Sequence, residues 1–277
     1  MSLQMLRDVL VQGPGHVSPF LMLGDPTPDV CVQLCRELVA AGASMLELGL
    51  PYADPSADGP AVQAAGLRAR AAGVSTDEAL MTLARIRAAC PNTPCNLLVY
   101  GNLVHARGYA RFCRDAVTAG ASSLLVPDIP LEEGALLRRT ATTHGLGNVL
   151  LAGPRTPDTR LAAIDLASDA FVYLAGHQGI TGAHANGDTC AATVARVRRI
   201  VSRPLCVGFG LHTRLQLQNV HDNGAQIAVV GSHLLRVLER ALQEHPNDCA
   251  AQVAAVRIAF EELLPTQRRL KETPSCS

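Results

Sequence analysis

Tryptophan is absent from the 277 residues, and the other aromatics amount to five Phe and four Tyr. With so few rings the chain has none of the interleaved aromatic and basic residues that grip RNA. Neither sign of charge is in excess, 24 Lys+Arg standing against 24 Asp+Glu, so no stripe points to a nucleic acid or to an anionic membrane. No run approaches the roughly 20 apolar residues that a membrane span needs. The opening MSLQMLRDVLVQG reads as a short amphipathic helix without the apolar core of a signal peptide. The expectation is a cytoplasmic protein whose partner is a small molecule or another protein.

Lysine is nearly missing as well. Lys271, in the tail, is the only one, which removes Schiff-base chemistry from any strand. The nine cysteines show no Cys-x-x-Cys spacing, and although Cys31 and Cys35 lie one helical turn apart, no His pair stands at ligand spacing beside them. Reduced, mostly buried thiols and no metal site follow.

What is present is a recurring unit. SPFLML (18–23) runs into the turn GDPTPD and then the amphipathic VCVQLCRELVAAG: a strand, a loop and a helix. The order returns at SMLELG (44–49), CNLLVY (95–100), SSLLVP (122–127), NVLLA (148–152), AFVYLAG (170–176), PLCVGFG (204–210) and QIAVVGS (226–232). Eight such units predict an α/β fold, a (β/α)8 TIM barrel with an extra N-terminal helix, whereas an open doubly wound sheet usually needs fewer. No linker divides the chain. Residues 1–277 are therefore expected to form a single barrel domain, with the barrel proper over about 16–266, closing helices at about 233–242 and 247–263, and a flexible tail over 267–277.

In such a barrel the active site gathers at the C-terminal ends of the strands, and side chains alternate between the interior and the helix layer. Leu46, Leu48 and Leu50 share one face of the second strand and suit the helix layer, which turns Met45, Glu47 and Gly49 inward. Glu47 is then a carboxyl inside the barrel, and ELGLPYADPSADGP holds no basic residue to pair with it. Burial of an unpaired carboxylate raises its pKa and makes it a general acid/base candidate. A supporting role on backbone amides is the plainer alternative. Asp58, in SADGP ahead of Pro60, fits an ordinary helix-start or turn residue as well as it fits chemistry. Asp54 reads as a loop organiser or an interface residue, and Asp25 has the same turn-like context. After the seventh and eighth strands, GFG (208–210) and GS (231–232) precede helical sequence, which is where barrels commonly bind phosphate. Gly179 and Gly182 in QGITG give the sixth loop the freedom of a lid.

In this order the pieces resemble the tryptophan synthase α subunit family, over nearly the whole chain from SPFLMLGDP to the helix after VVGSHLL. LELGLPYADPSADGPAVQAAGLRARAAG is similar to the family's signature segment almost residue for residue, and LLVYGNLV, VPDIPLEE, GITG, VGFG and VVGS follow in the family's order. The resemblance implies retro-aldol cleavage of indole-3-glycerol phosphate to indole and glyceraldehyde 3-phosphate, in tryptophan biosynthesis, with no cofactor and no metal. It places the two catalytic carboxyls at Glu47 and Asp58 and an active-site tyrosine at Tyr173. It implies an indole cavity lined by Phe20, Leu98, Leu125 and Phe209, with Thr181 closing onto the region of Asp58, and a phosphate site at Gly182, Gly210, Gly231 and Ser232. It also implies a pyridoxal-phosphate β subunit as partner in an α2β2 complex, approached near Pro51, Asp54, Asn102 and Pro130.

The chain departs from the family pattern in the sixth loop, GHQGITGAHANGD, which lacks the usual basic residue soon after GITGA, and at Met22, Ser56 and Pro127. The loop's changes bear on coupling to a β subunit more than on chemistry. Two other readings accordingly stand beside the α subunit: a stand-alone indole-3-glycerol-phosphate lyase that releases free indole, and a weakly catalytic regulatory partner of a β subunit. A further phosphate-sugar isomerase or aldolase on the same barrel is a fourth, without the Schiff-base route that the missing lysine removes.

Overall fold

In the computed structural model, which describes residues 2–176, 187–208 and 210–265, eight strands follow one another in a closed parallel ring. They are β1 His16–Met22, β2 Leu46–Gly49, β3 Cys95–Leu98, β4 Ser123–Leu125, β5 Gly147–Ala152, β6 Val172–Leu174, β7 Leu205–Val207 and β8 Ile227–Val230, with β8 pairing back onto β1. Each apolar run read from the sequence supplies one strand. The strands are shorter than most of the runs, because stretches such as PLCVGFG continue past the ladder into the loops of the C-terminal end.

The helices are α1 Ser2–Leu10, α2 Pro28–Ala40, α3 Pro60–Ala71, α4 Thr76–Ala89, α5 Gly101–Arg107, α6 Tyr109–Ala119, α7 Ala135–Thr143, α8 Asp158–Ala167, α9 Gly187–Arg198, α10 Arg214–Asp222, α11 Ser232–Glu244 and α12 Cys249–Leu263. Two intervals hold a pair of helices where the sequence pattern suggests a single helical region. Between α5 and α6 the cause is Gly108, whose φ of 82° lies in the left-handed region that breaks a right-handed helix. Between α3 and α4 a fresh start intervenes: the Ser75 hydroxyl accepts from the Glu78 N–H at 3.2 Å. Thr27 caps α2 in the same way ahead of Pro28, and Thr213 with Gln216 forms a full capping box on α10. Each cap is worth about 1 kcal/mol.

Two cores result. Outward faces of the strands carry Leu46, Leu48, Leu97, Val172 and Leu205, none of them exposed, against the helices. Fully burying each such side chain contributes about 1.5–3 kcal/mol. Inside the ring the buried side chains are more polar and include Ser18, Glu47, Asn96 and Ser123. Across the N-terminal end lies α1, with Leu6 fully buried and Leu3 against Gly147 at the start of β5. The opposite end is left to the loops. Among the described residues no helix is long and apolar enough to cross a membrane. Of the described cysteines, Cys31, Cys35, Cys90, Cys95, Cys113 and Cys206 are buried, and all are free thiols.

Candidate active site

β2 brings Glu47 into the barrel in the phase that its leucines predict. The residue is 2% exposed, and among the described residues it bonds to two interior side chains of other strands. Asn96, on neighbouring β3, donates its Nδ2–H to Oε1 at 2.9 Å. Tyr173, on β6 across the ring, donates its hydroxyl to Oε2 at 3.1 Å. Asn96 is braced in turn by the Ser123 hydroxyl of β4, which donates to Oδ1 at 2.7 Å. Both partners of the carboxyl are neutral. Burial therefore dominates and pushes Glu47 from the ordinary 4.5 up to about 7, against the pull of the Tyr173 and Asn96 bonds. A carboxyl in that range exists as both acid and base near neutrality.

The position of Tyr173 depends on Gly208, just past the end of neighbouring β7 and two residues beyond Cys206, the register partner of Tyr173. A Cβ built on Gly208 would fall 1.7 Å from the Tyr173 hydroxyl, so glycine is what leaves that oxygen room to meet Glu47. Cys206, two residues earlier on β7, also faces Glu47, and burial together with the Glu47 carboxyl keeps its thiol well above the usual range.

Asp58 sits at the mouth, half-buried in the loop between β2 and α3. Its backbone closes a turn, Asp58 N–H donating to Pro55 O at 3.0 Å, and the Gln63 side chain holds its carbonyl at 2.8 Å. Tyr100, just past β3, supports the same loop. Its hydroxyl accepts from the Ala57 N–H at 3.0 Å, and its ring stacks on Tyr52 with centroids 5.1 Å apart. Burial raises the Asp58 carboxyl to about 6, with a hydrogen bond from Tyr100 pulling the other way. The Asp58 charge in turn adds to what holds Glu47 up. Of the helix-start or turn reading of Asp58, the turn is present and the helix start is corrected: the N-cap of α3 is Gly59, which has no side chain to cap with.

Of the apolar residues expected to line a cavity, Phe20 lies on β1, Leu98 on β3 and Leu125 on β4. Phe20 pairs in register with Glu47, and Gly49 and Gly231 flank it closely: a Cβ on Gly49 would lie 2.8 Å from Phe20 Cζ, and one on Gly231 3.1 Å from Phe20 Cβ. Leu98 and Leu125 are register partners at the same end of β3 and β4. Gly210, with φ of 63°, follows β7, while Gly231 is the N-cap of α11 and Ser232 its first residue. Gly231, as N-cap, offers no side chain to the first N–H groups of α11, and a helix end of this kind can receive an anion. Thr181, Gly182 and Phe209 lie outside the described residues, as does the rest of 177–186. Pro51, Asp54, Asn102 and Pro130 follow β2, β3 and β4 at this same end; Pro51 is half-buried and the other three are exposed. Asn102 donates its Nδ2–H to the Tyr52 hydroxyl at 2.7 Å. Among the described residues no cluster of three or more His, Cys, Asp or Glu is arranged to hold a metal ion.

Asp25 is not a turn organiser alone. It is 2% exposed and receives Nε and Nη2 of Arg68, from α3, at 2.8 Å on each oxygen. Sequence reasoning also passed over Asn96, Ser123 and Tyr100, and took Gly208 only as part of a phosphate-binding GFG. A signal for the first two was available. CNLLVY and SSLLVP phase like the second strand, and a polar residue on the inward face of an apolar strand is as conspicuous as Glu47.

Comparison with known proteins agrees with this geometry. Residues 8–264 match a family model described as tryptophan synthase alpha chain. The tryptophan synthase alpha chain of Synechococcus sp. (strain CC9902) is 41% identical over 231 residues, covering 83% of this chain and 86% of that one. Its counterpart in Corynebacterium glutamicum is 35% identical over 238 residues, 85% of each chain. Among solved structures, the tryptophan synthase a2b2 complex of Pyrococcus furiosus is similar with a TM-score of 0.83 and 31% identity, covering 91% of this chain and 98% of that one.

Proposed function

The chain belongs to the tryptophan synthase alpha chain family, and on that premise we propose that Glu47, Asp58 and Tyr173 carry the family's lyase reaction in it, cleavage of indole-3-glycerol phosphate to indole and glyceraldehyde 3-phosphate. The observation that carries this reading is the Glu47 carboxyl, buried among neutral donors and raised to about 7, with a second raised carboxyl at the same mouth.

Cleavage needs two proton movements. A proton must reach indole C3, so that the electrons of the breaking C3–C3′ bond return to the ring and indole leaves neutral, and the glycerol hydroxyl that becomes the aldehyde must lose one. Glu47 performs both: it gives its proton to C3 and takes the hydroxyl proton back, so the cycle closes with the carboxyl in its starting form. Asp58 accepts the indole N–H and stabilises the positive charge of the protonated ring. Tyr173 holds Oε2 in place in either protonation state. Phe20, Leu98 and Leu125 form the wall for the ring, and Gly210, Gly231 and Ser232 take the phosphate at the start of α11; the family resemblance adds Phe209, Gly182 and Thr181 to these roles. No cofactor enters this scheme.

The Pyrococcus furiosus structure is of an a2b2 complex in which activation is mutual. We extend that partner to this chain: a tryptophan synthase β subunit docks on the end that carries Pro51, Asp54, Asn102 and Pro130. Residues 1–277 act as a single barrel domain, in the cytoplasm. The test is indole formation from indole-3-glycerol phosphate by the purified chain, alone and with an added β subunit. Slow turnover that rises strongly with β supports the α subunit. Fast turnover indifferent to β marks a stand-alone lyase, and no indole under either condition sinks the catalytic reading.

A further inference from the structure

Building on Glu47 as the proton carrier, the geometry points to Asn96, braced by Ser123, as a positioning residue that divides the Glu47 carboxyl: Oε1 is the anchored oxygen, and Oε2, beside Tyr173, bears the exchanged proton. Asn96 and Ser123 are fully buried, and the bonds run in one line, Ser123 Oγ–H to Asn96 Oδ1 at 2.7 Å and Asn96 Nδ2–H to Glu47 Oε1 at 2.9 Å. An amide NH2 donates and cannot accept, whereas a phenol hydroxyl does either. Oε1 therefore keeps its bond only while it carries no proton of its own. Oε2 keeps a partner in both states, because Tyr173 donates to the carboxylate and accepts from the acid. Ser123 selects this orientation of the amide by supplying the donor that Oδ1 needs; flipped, Oδ1 would confront Oε1 as a second acceptor.

Among the described residues the titratable groups that face Glu47 are Tyr173 from β6, Cys206 from β7 and Asp58 from the loop after β2. Asn96 does not titrate, so its bond can be removed without changing any charge. The anchored oxygen matters because a carboxyl that gives and retakes a proton must stay aimed between the two steps, and small misplacements of catalytic groups are costly.

A substrate-free measurement tests the anchoring: a 13C NMR titration of the chain with labelled Glu carboxyls, the Glu47 resonance being the one lost in Glu47→Gln. In Asn96→Leu the Glu47 carboxyl should titrate at higher pH than in the wild type, since a donor to its charged form is gone. Ser123→Ala, a deletion of one oxygen that preserves the fold, should move it less in the same direction. Indole formation should fall about 30-fold in kcat for Asn96→Leu and about 5-fold for Ser123→Ala, with KM within about twofold. Tyr173→Phe, which strips the partner of Oε2, should cost more than Ser123→Ala, and the reverse order overturns the oxygen assignment. Unchanged titration in both Asn96→Leu and Ser123→Ala, or shifted titration with unchanged kcat, overturns the positioning role. Wild-type protein that makes no indole sinks the cleavage reading alone, and the titration then decides by itself whether Asn96 holds Glu47.

Discussion

Asp25, in the loop just past β1, and Glu47, inside adjacent β2, are carboxyls each 2% exposed, and burial raises both above their ordinary ranges. Their partners differ in kind. Asp25 faces a guanidinium that binds both of its oxygens at 2.8 Å, and Arg68 pulls back against the desolvation. Glu47 has an amide and a phenol, which orient it without compensating a charge. A buried carboxyl with a cation is committed to one ionisation state and serves the fold; one with neutral donors keeps both states within reach and can serve a reaction.

Breaking the Glu47 side should produce the largest effect. Glu47→Gln is expected to lower kcat for indole formation by more than about 1,000-fold while stabilising the protein. The sign follows from the shift: the folded value of about 7 lies above the ordinary 4.5, so ionisation penalises the folded state, and the penalty grows as pH rises through that interval. It amounts to about 3 kcal/mol once complete. Urea melts at about pH 8 should show the variant more stable by roughly that amount, and the gain should vanish toward about pH 4; equal stability at both pH values breaks the comparison.

Asp25→Asn should do the reverse. It leaves the half-buried Arg68 guanidinium without its partner and should destabilise the fold by about 3 kcal/mol, while turnover of the folded protein stays within about twofold. Denaturation and kinetics on one sample separate the two quantities. A smaller loss is expected from Gly208→Ala, whose Cβ displaces the Tyr173 hydroxyl: about 10- to 100-fold in kcat, with the limb of the pH–rate profile set by Glu47 moving to higher pH. An unmoved profile would show that Tyr173 does not tune the acid. Last comes Glu239→Gln, which removes the second carboxylate near Arg68, 3.6 Å away and 44% exposed. Screened pairs of this kind contribute little, so a change below about 0.5 kcal/mol in the melts is expected; a loss matching that of Asp25→Asn would mean Arg68 is held from the surface rather than from within.

Much of this was legible before any coordinates. Period-two alternation and eight strand-loop-helix units specify a closed barrel and turn Glu47 inward, because register and phase are local properties of a strand. The pairing of Asp25 with Arg68 was not legible, since 43 residues separate them and nothing local distinguishes an Asp in GDP that finds a guanidinium from one that finds water. The same limit hid Gly208: a glycine at a strand end reads as a turn residue until the side chain that fills its missing volume is seen. Asn96 falls between these cases. Its inward phase is local, but its value depends on Glu47 one strand away and Ser123 on the other side.

The bond from Tyr173 to Glu47 links residues 126 apart in the chain and spans the ring from β6 to β2. As the polypeptide leaves the ribosome, the acid and its amide anchor are made long before the phenol. A product halted after five strands can seat Glu47 against Asn96 yet has nothing to offer Oε2. Competence for chemistry therefore arrives with closure of the ring, and a chain truncated before β6 should be inert however much of its helical signal survives.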